Sequence, residues 1–347
     1  YMFTNSASSG GLAENGLPVE NLTVEKSRKA TVGLDFSLLN NRLDVSVEGF
    51  LEKRSDILVT STNSVAGIIG IEVGKINAGI NKYQGASFSL GWNDKIKDFE
   101  YGVSANLTYM TSEVVNENQA FEQYDYLYHK GNKVNQCYGL EAIGFFENQM
   151  DINNSPTQTF SQVRPGDVKY KDQNGDNKID SKDVVKMCGT TTPEVWFGFN
   201  LHAGYKGFTV SADFQGITGV TTNLLKSPLY KPLLNNGTIS KTFLDRETPW
   251  TPGNQTNATM PRLTTQANAN NYQNSSLWYR DASFLKLRNL MIGYTFPKSM
   301  LKFSDMQVYV QGTNLFSLDN IKFADPEQLV AAYPSTRSFW AGVKFNF

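Results

Sequence analysis

An all-β fold, a transmembrane antiparallel β-barrel, is predicted for this chain by three observations. Hydrophobic residues recur with period two along most of the 347 residues, and the connections between these segments alternate between short and long. The carboxyl-terminal segment alternates strictly up to an aromatic last residue. There Phe339, Ala341, Val343, Phe345 and Phe347 share one face, and Ser338, Trp340, Gly342, Lys344 and Asn346 share the other. A soluble sheet can read this way, but an apolar face on a strand that ends on phenylalanine also suits lipid.

The strands follow in order. Ala30, Val32, Leu34, Phe36 and Leu38 interleave with polar residues, turn at Asn40-Asn41, and return through Leu43, Val45, Val47, Gly49 and Leu51, which makes a hairpin. Ala86, Phe88, Leu90 and Trp92 precede a polar turn near Asp94 to Lys97, and Tyr101, Val103, Ala105, Leu107 and Tyr109 complete a second hairpin. Val195, Phe197, Phe199, Leu201, Ala203 and Tyr205 run into Lys206-Gly207 and return through Phe208, Val210, Ala212 and Phe214. Between Phe284 and Phe296 the phase slips, with Leu285 and Leu287 on one parity and Leu290, Ile292, Tyr294 and Phe296 on the other, so a bulge is expected near Arg288-Asn289. Met306, Val308, Val310 and Gly312 follow, then the terminal strand from about Thr336.

This makes about nine strands. Short turns fall at 39–41, 94–98, 206–207 and 297–304, and long links at 60–76, 116–189, 221–274 and 318–335. Outer-membrane barrels show this asymmetry, with short periplasmic turns and long extracellular loops. Counting back from the last strand places residues 1–19 in another extracellular loop. An odd number of strands left open in lipid would expose unpaired edges that cost several kcal/mol per group, so the expectation is the carboxyl-terminal part of a larger barrel.

Composition narrows the function. A formal net charge of −1 gives no attraction to nucleic acid. No run approaches the roughly 18 apolar residues of a membrane helix, which leaves a strand-built span open. The chain starts at Tyr1 without a basic or apolar leader, and reads as a mature or truncated product. Cys137 and Cys188 allow one disulfide or two free thiols.

Several blocks resemble the SusC/RagA family of TonB-dependent outer-membrane transporters of Bacteroidetes. They are Tyr138-Gly139-Leu140-Glu141-Ala142-Ile143-Gly144-Phe145-Phe146, the stretch from Pro165-Gly166-Asp167 to Asn174-Gly175-Asp176, Tyr205-Lys206-Gly207-Phe208, the stretch from Arg280-Asp281-Ala282 to Leu287-Arg288-Asn289, and Gln311-Gly312-Thr313-Asn314-Leu315-Phe316. Their succession covers essentially the whole chain. The resemblance implies a barrel of 22 strands, of which these would be the last. It also implies an amino-terminal plug, a TonB box that couples to the TonB complex, and a SusD-like surface lipoprotein as lid. The plug and the TonB box are absent from this sequence.

Three groups of residues are candidate sites. Asp172, Asn174, Asp176, the Lys178 carbonyl, Asp180 and Asp183 place oxygens at EF-hand-like spacing in the 172–183 segment, and suit a structural calcium ion. Asn177 stands where glycine is usual and Asp183 where a bidentate glutamate is usual, so a solvated acidic turn is the competing reading. Tyr124 and Tyr126, with Phe121, Tyr128, Tyr230, Trp250 and Tyr272, can stack on sugar rings or serve as girdle and packing aromatics. Asp213 and Gln215 are candidates for a polar lumen and for contact with an oligosaccharide or peptide substrate. His129 and His202 are far apart and join no nucleophile or metal constellation, so no enzyme is expected.

The leading expectation is an outer-membrane importer of oligosaccharides or peptides, embedded in outer-membrane lipid. The alternatives are a secreted all-β glycan-binding or hydrolytic module with a calcium-stabilised loop, and a structural barrel or adhesin.

Overall fold

The computed structural model describes residues 21–60, 74–234, 237–301, 304–321, 324–328 and 335–346. The expected loop at 1–19 and the terminal Phe347 lie outside the described residues. Four long strands come first: β1 (Lys26–Leu38), β2 (Leu43–Thr60), β3 (Lys75–Ile96) and β4 (Phe99–Asn116). Six short ones follow: β5 (Gln136–Gly139), β6 (Ala142–Phe145), β7 (Thr157–Gln158), β8 (Val168–Tyr170), β9 (Lys178–Ile179) and β10 (Val185–Thr190). The hairpin β11 (Val195–Tyr205) and β12 (Phe208–Thr218) precedes the short β13 (Thr221–Asn223) and β14 (Tyr279–Asp281). The chain ends with β15 (Phe284–Phe296), β16 (Asp305–Asp319) and β17 (Ser338–Asn346).

The nine long strands form one sheet in the order β1-β2-β3-β4-β11-β12-β15-β16-β17, so every wall strand lies beside its neighbour in sequence. Short turns set the register. Lys206 and Gly207 both adopt positive φ (45° and 87°), as a two-residue primed hairpin turn requires, and pair Tyr205 with Phe208. The anticipated bulge is present: Asp213 pairs Asn289 and Phe214 pairs Leu287, leaving Arg288 as the extra residue.

Register joins like with like across the wall. One apolar row runs Phe99, Tyr205, Phe208, Tyr294, Val308, Val343, and the next runs Tyr101, Ala203, Val210, Ile292, Val310, Ala341. Phe208, Ile292 and Val343 are 59, 52 and 55% exposed. Each such side chain, being half exposed, would forgo in water half of the about 1.5–3 kcal/mol of full burial, so this face calls for an apolar solvent. Aromatic contacts gather at both ends of the band. Phe208 and Tyr294 (4.6 Å) and Phe99 and Tyr101 (5.6 Å) lie near the short turns, and Phe199 and Phe214 (4.5 Å) near the long links. Phe197 and Tyr205 are eight residues apart on β11. That is about 27 Å along the strand and about 21 Å along the normal at a tilt of ~40°, close to the ~25 Å apolar band of outer-membrane barrels.

Packing divides the chain into two compact units, one of residues 1–30, 50–84 and 112–134, the other of residues 31–49, 85–111 and 135–347. In the first, Asn77 Nδ2 donates to the carbonyls of Thr23 (2.8 Å) and Asp56 (2.6 Å), and the 112–134 stretch closes on itself through Val114 and Asn132. In the second, the long links expected as loops fold into a platform with its own cores. Leu140, Val168, Tyr170 and Ile179 form one core, and Leu224, Tyr230, Phe243, Met260 and Trp278 the other; Leu277 packs against both.

A buried carboxylate ties the two links together. Asp167 is fully buried, and its Oδ1 accepts from Asn268 Nδ2 and Asn271 Nδ2, both at 2.9 Å. Arg262 Nε lies 2.8 Å from the same oxygen, and Arg164 N donates to Oδ2 at 2.7 Å. Gln158, Asn270 and Tyr170 extend the network, Tyr170 Oη donating to the Asn270 carbonyl at 2.7 Å. Burial pushes the Tyr170 hydroxyl well above its ordinary pKa, so it stays a donor.

Candidate functional site

The face opposite the apolar rows is polar, because alternation puts every second residue there. Ser104, Asn200, Asp213 and Asn289 form one row across β4, β11, β12 and β15. Asn200 Nδ2 donates to Asp213 Oδ1 at 2.7 Å and to Ser211 Oγ at 3.0 Å, and Asn289 Nδ2 reaches Asp213 Oδ2 at 3.4 Å. Asp213 is therefore a carboxylate held by neutral amides on a hydrogen-bonding wall. Gln215 lies on the same face, where its Oε1 accepts from Arg288 Nε at 2.8 Å.

The β15 bulge concentrates charge on that face. With Arg288 inserted, Lys286, Arg288 and Asn289 project to the polar side while Leu287 and Leu290 stay with the apolar rows. Lys286, only 4% exposed, lies against Asp325 and places its Nζ 2.5 Å from Glu327 Oε2. Arg288 Nη2 donates to both oxygens of Glu327, at 2.7 and 2.8 Å. Burial alone would raise the Asp325 pKa, but hydrogen bonds from Lys286, Ser335 and the Glu327 amide outweigh it and hold the carboxyl below its ordinary value. Beside these ion pairs opens a cavity of about 1580 Å³, lined among others by Phe284, Lys286, Ser317, Asp325 and Arg337.

The other sequence candidates lie elsewhere. In the 172–183 segment the acidic side chains cap backbone amides. Asp172 accepts from Gly175 N (2.7 Å) and Asn177 N (2.9 Å), Asn174 from Asp176 N (3.0 Å), and Asp176 from Lys178 N (2.9 Å). Asp180 and Asp183 form a capping box around the 3-10 turn Ser181–Asp183. Asp183 is fully buried, with its two oxygens on the amides of Gln173 and Asp180, each at 2.8 Å. The donor set is all oxygen, as a hard cation requires. Among the described residues no three His, Cys, Asp or Glu side chains converge on one point.

Tyr124 and Tyr126 stack on each other in the first unit, with centroids 5.4 Å apart and planes at 11°. Tyr230 and Trp250 are buried, and Tyr272 stacks on Trp278, so these three serve packing in the platform. Phe121 is 89% exposed. His129 Nδ1 lies 2.5 Å from Glu117 Oε1, and His202 neighbours Asn200. Cys137 and Cys188 are both free; burial raises the Cys137 thiol above its ordinary pKa, and Cys188 is exposed.

Sequence reasoning missed two groups. The Asp167 network joins residues about a hundred positions apart, which no local period reports. Lys286, Arg288, Asp325 and Glu327 carried a usable signal: two basic residues at a phase slip, facing an Asp-Pro-Glu in the next long link.

No family model matches the chain. Among curated relatives, TonB-dependent receptor P3 of Formosa agariphila is 26% identical over 363 residues, covering 94% of this chain and 35% of the relative. TonB-dependent receptor SusC of Bacteroides thetaiotaomicron is 24% identical over 345 residues, covering 94% and 32%. A solved structure of the RagAB peptide transporter superposes with a TM-score of 0.72 at 24% identity, over 99% of this chain and 38% of that one. The two-faced antiparallel wall and these likenesses define an outer-membrane β-barrel protein, its apolar rows toward lipid and its polar face toward the lumen. Over nearly its whole length the chain is similar to TonB-dependent receptors of the SusC/RagA kind. It spans about a third of the length of the curated relatives it matches. These relatives are receptors rather than enzymes.

Proposed function

We propose that the chain supplies wall, lumen surface and extracellular loops to a TonB-energised importer of oligosaccharides or peptides, which works with a SusD-like surface lipoprotein. The observation that carries this reading is the polar row Ser104, Asn200, Asp213, Asn289 on the lumen side of a wall whose links at 135–189 and 221–274 pack into a platform. A row of neutral donors and acceptors around one carboxylate suits the passage of hydrated solutes, and a folded platform offers a lid protein a seat. The test is growth of the source bacterium on defined oligosaccharide and peptide mixtures, with and without an in-frame deletion of residues 221–274. Selective loss of growth on one class supports import, and unchanged growth on all of them refutes it. Recovery of a surface lipoprotein with the affinity-tagged protein from detergent extracts checks the partner.

We further propose calcium as a brace for the 172–183 segment, held by Asp172, Asn174, Asp176, the Lys178 carbonyl and Asp180, with Asp183 shaping the turn from beneath. Calcium should protect this segment from proteolysis, chelation should reverse the protection, and Asp176→Ala should abolish it. Equal cleavage with calcium and with chelator would refute the brace.

A further inference from the structure

We propose that Lys286 and Arg288 form a binding site for carboxylate-bearing solutes, occupied at rest by the chain's own Asp325 and Glu327. The geometry is that of ligand recognition. Arg288 Nη2 reaches both oxygens of one carboxylate at 2.7 and 2.8 Å, and an ammonium meets the same carboxylate at 2.5 Å, so two cations converge on one carboxylate as they would on a carboxylate from any source. Lys286 Nζ lies 4.9 Å above the Phe284 ring, and the Arg288 guanidinium 5.9 Å, so both cations rest on one aromatic plate.

The resting occupant sits on the link between β16 and β17, where Ser335 Oγ also donates to Asp325 Oδ2. Ala324 packs beside Val220, Ala282 and Ile321, Glu327 N donates to Asp325 Oδ1, and Gln328 N donates to the Asp325 carbonyl. The Glu327 side chain is 34% exposed, so its pairs stand in contact with water and are open to exchange. The cavity of about 1580 Å³ reaches Lys286 and Asp325, and its wall presents Arg337, an exposed cation with no partner among the described residues. Asp319 on the same wall is already engaged by Ser317 Oγ (2.6 Å) and Ile321 N (3.1 Å). An incoming carboxylate first meets Arg337, then replaces Glu327 on Lys286 and Arg288 while Asp325 stays paired with Lys286. Acidic peptide residues and uronic acids share this chemistry. The site deepens the import reading, on which it rests for the origin of its ligand but not for binding itself.

The test is equilibrium binding of fluorescently labelled triglutamate and triglutamine to the full-length protein purified in detergent. Wild type, Glu327→Gln and Arg337→Gln are compared, each first shown to share the wild-type circular dichroism and elution volume. Wild type should prefer triglutamate. Glu327→Gln, by removing the internal competitor, should tighten triglutamate about tenfold and leave triglutamine unchanged. Arg337→Gln, on an exposed side chain, should weaken triglutamate alone, and it keeps the test open if the first variant does not fold. Equal affinity of wild type for both peptides, or an equal gain for both in Glu327→Gln, overturns the site. If triglutamate binds as expected while cells import no solute, the import reading falls and the site stands.

Discussion

Replacing Asp167 by alanine should loosen the loop platform and leave the wall intact. In the native protein this fully buried carboxylate accepts from Asn268, Asn271 and the Arg164 amide, and pairs with Arg262. Alanine leaves two buried amides and one guanidinium without their acceptor. Truncating one partner of a buried ion pair costs about 3–5 kcal/mol, and each orphaned buried donor about 1–3 kcal/mol, with relaxation keeping the sum below full additivity. Arg262 is 22% exposed at its side chain and recovers part of its hydration. A loss of about 3–5 kcal/mol is therefore expected for opening the platform. At 1.4 kcal/mol per decade this is on the order of 10² to 10³ in local opening. Hydrogen exchange by mass spectrometry reads it directly: amides of Leu140, Val168 and Tyr170 should exchange faster by that factor, and those of β11 and β12 at the native rate. Asp167→Asn, which keeps the shape and one acceptor, should fall between. A change under about threefold in the platform, or an equal rise in the wall strands, would show that the carboxylate does not hold the two links together.

Other outcomes follow from the wall and its turns. Leu201→Arg or Leu290→Arg, each on the lipid face in the middle row of the band, should cost about 2–4 kcal/mol in folding titrations into lipid vesicles, whereas Ser211→Arg on the lumen face should cost far less. Gly207→Val should slow refolding and destabilise the β11–β12 hairpin, because φ is +87° there and an added Cβ would lie 2.8 Å from the Thr295 carbonyl; a stability equal to wild type in urea titration would contradict this. The Asp325 pKa is lowered in the folded state, so its contribution is complete above the ordinary carboxylate range near pH ~4 and fades as pH falls through the lowered native value. Protease cleavage next to Asp325 should therefore be constant from neutral pH down to about pH 5 and rise only in stronger acid.

The wall was legible in the sequence because each strand lies beside its sequence neighbour and shows one face to lipid, so period two carried both strand and facing. The phase slip at Arg288-Asn289 was legible for the same reason, since Leu287 and Leu290 fall on opposite parities. The platform was not. Trp278, Tyr230 and Leu140 are buried against residues far away in sequence, and segments as short as β7 or β13 leave no period to detect. Asp213 and Gln215 could be assigned to a face by counting, but that Gln215 braces Arg288 depends on a bulge that alternation locates without saying which side chain it turns inward.

Arg288 is the residue that the β12–β15 ladder does not require. Without it Leu287 would be followed directly by Asn289, and pairing with Phe214 and Asp213 would run unbroken. The strand thus carries a one-residue insertion whose contacts are Gln215, Asn314, Glu327 and the Phe284 ring, at the expense of regular pairing. A chain shortened by Arg288 would pair regularly with β12, would set Asn314 and Leu315 of β16 against no residue of β15, and would leave Glu327 facing one cation instead of two. At this position strand regularity and charge placement pull against each other, and the sequence keeps the charge.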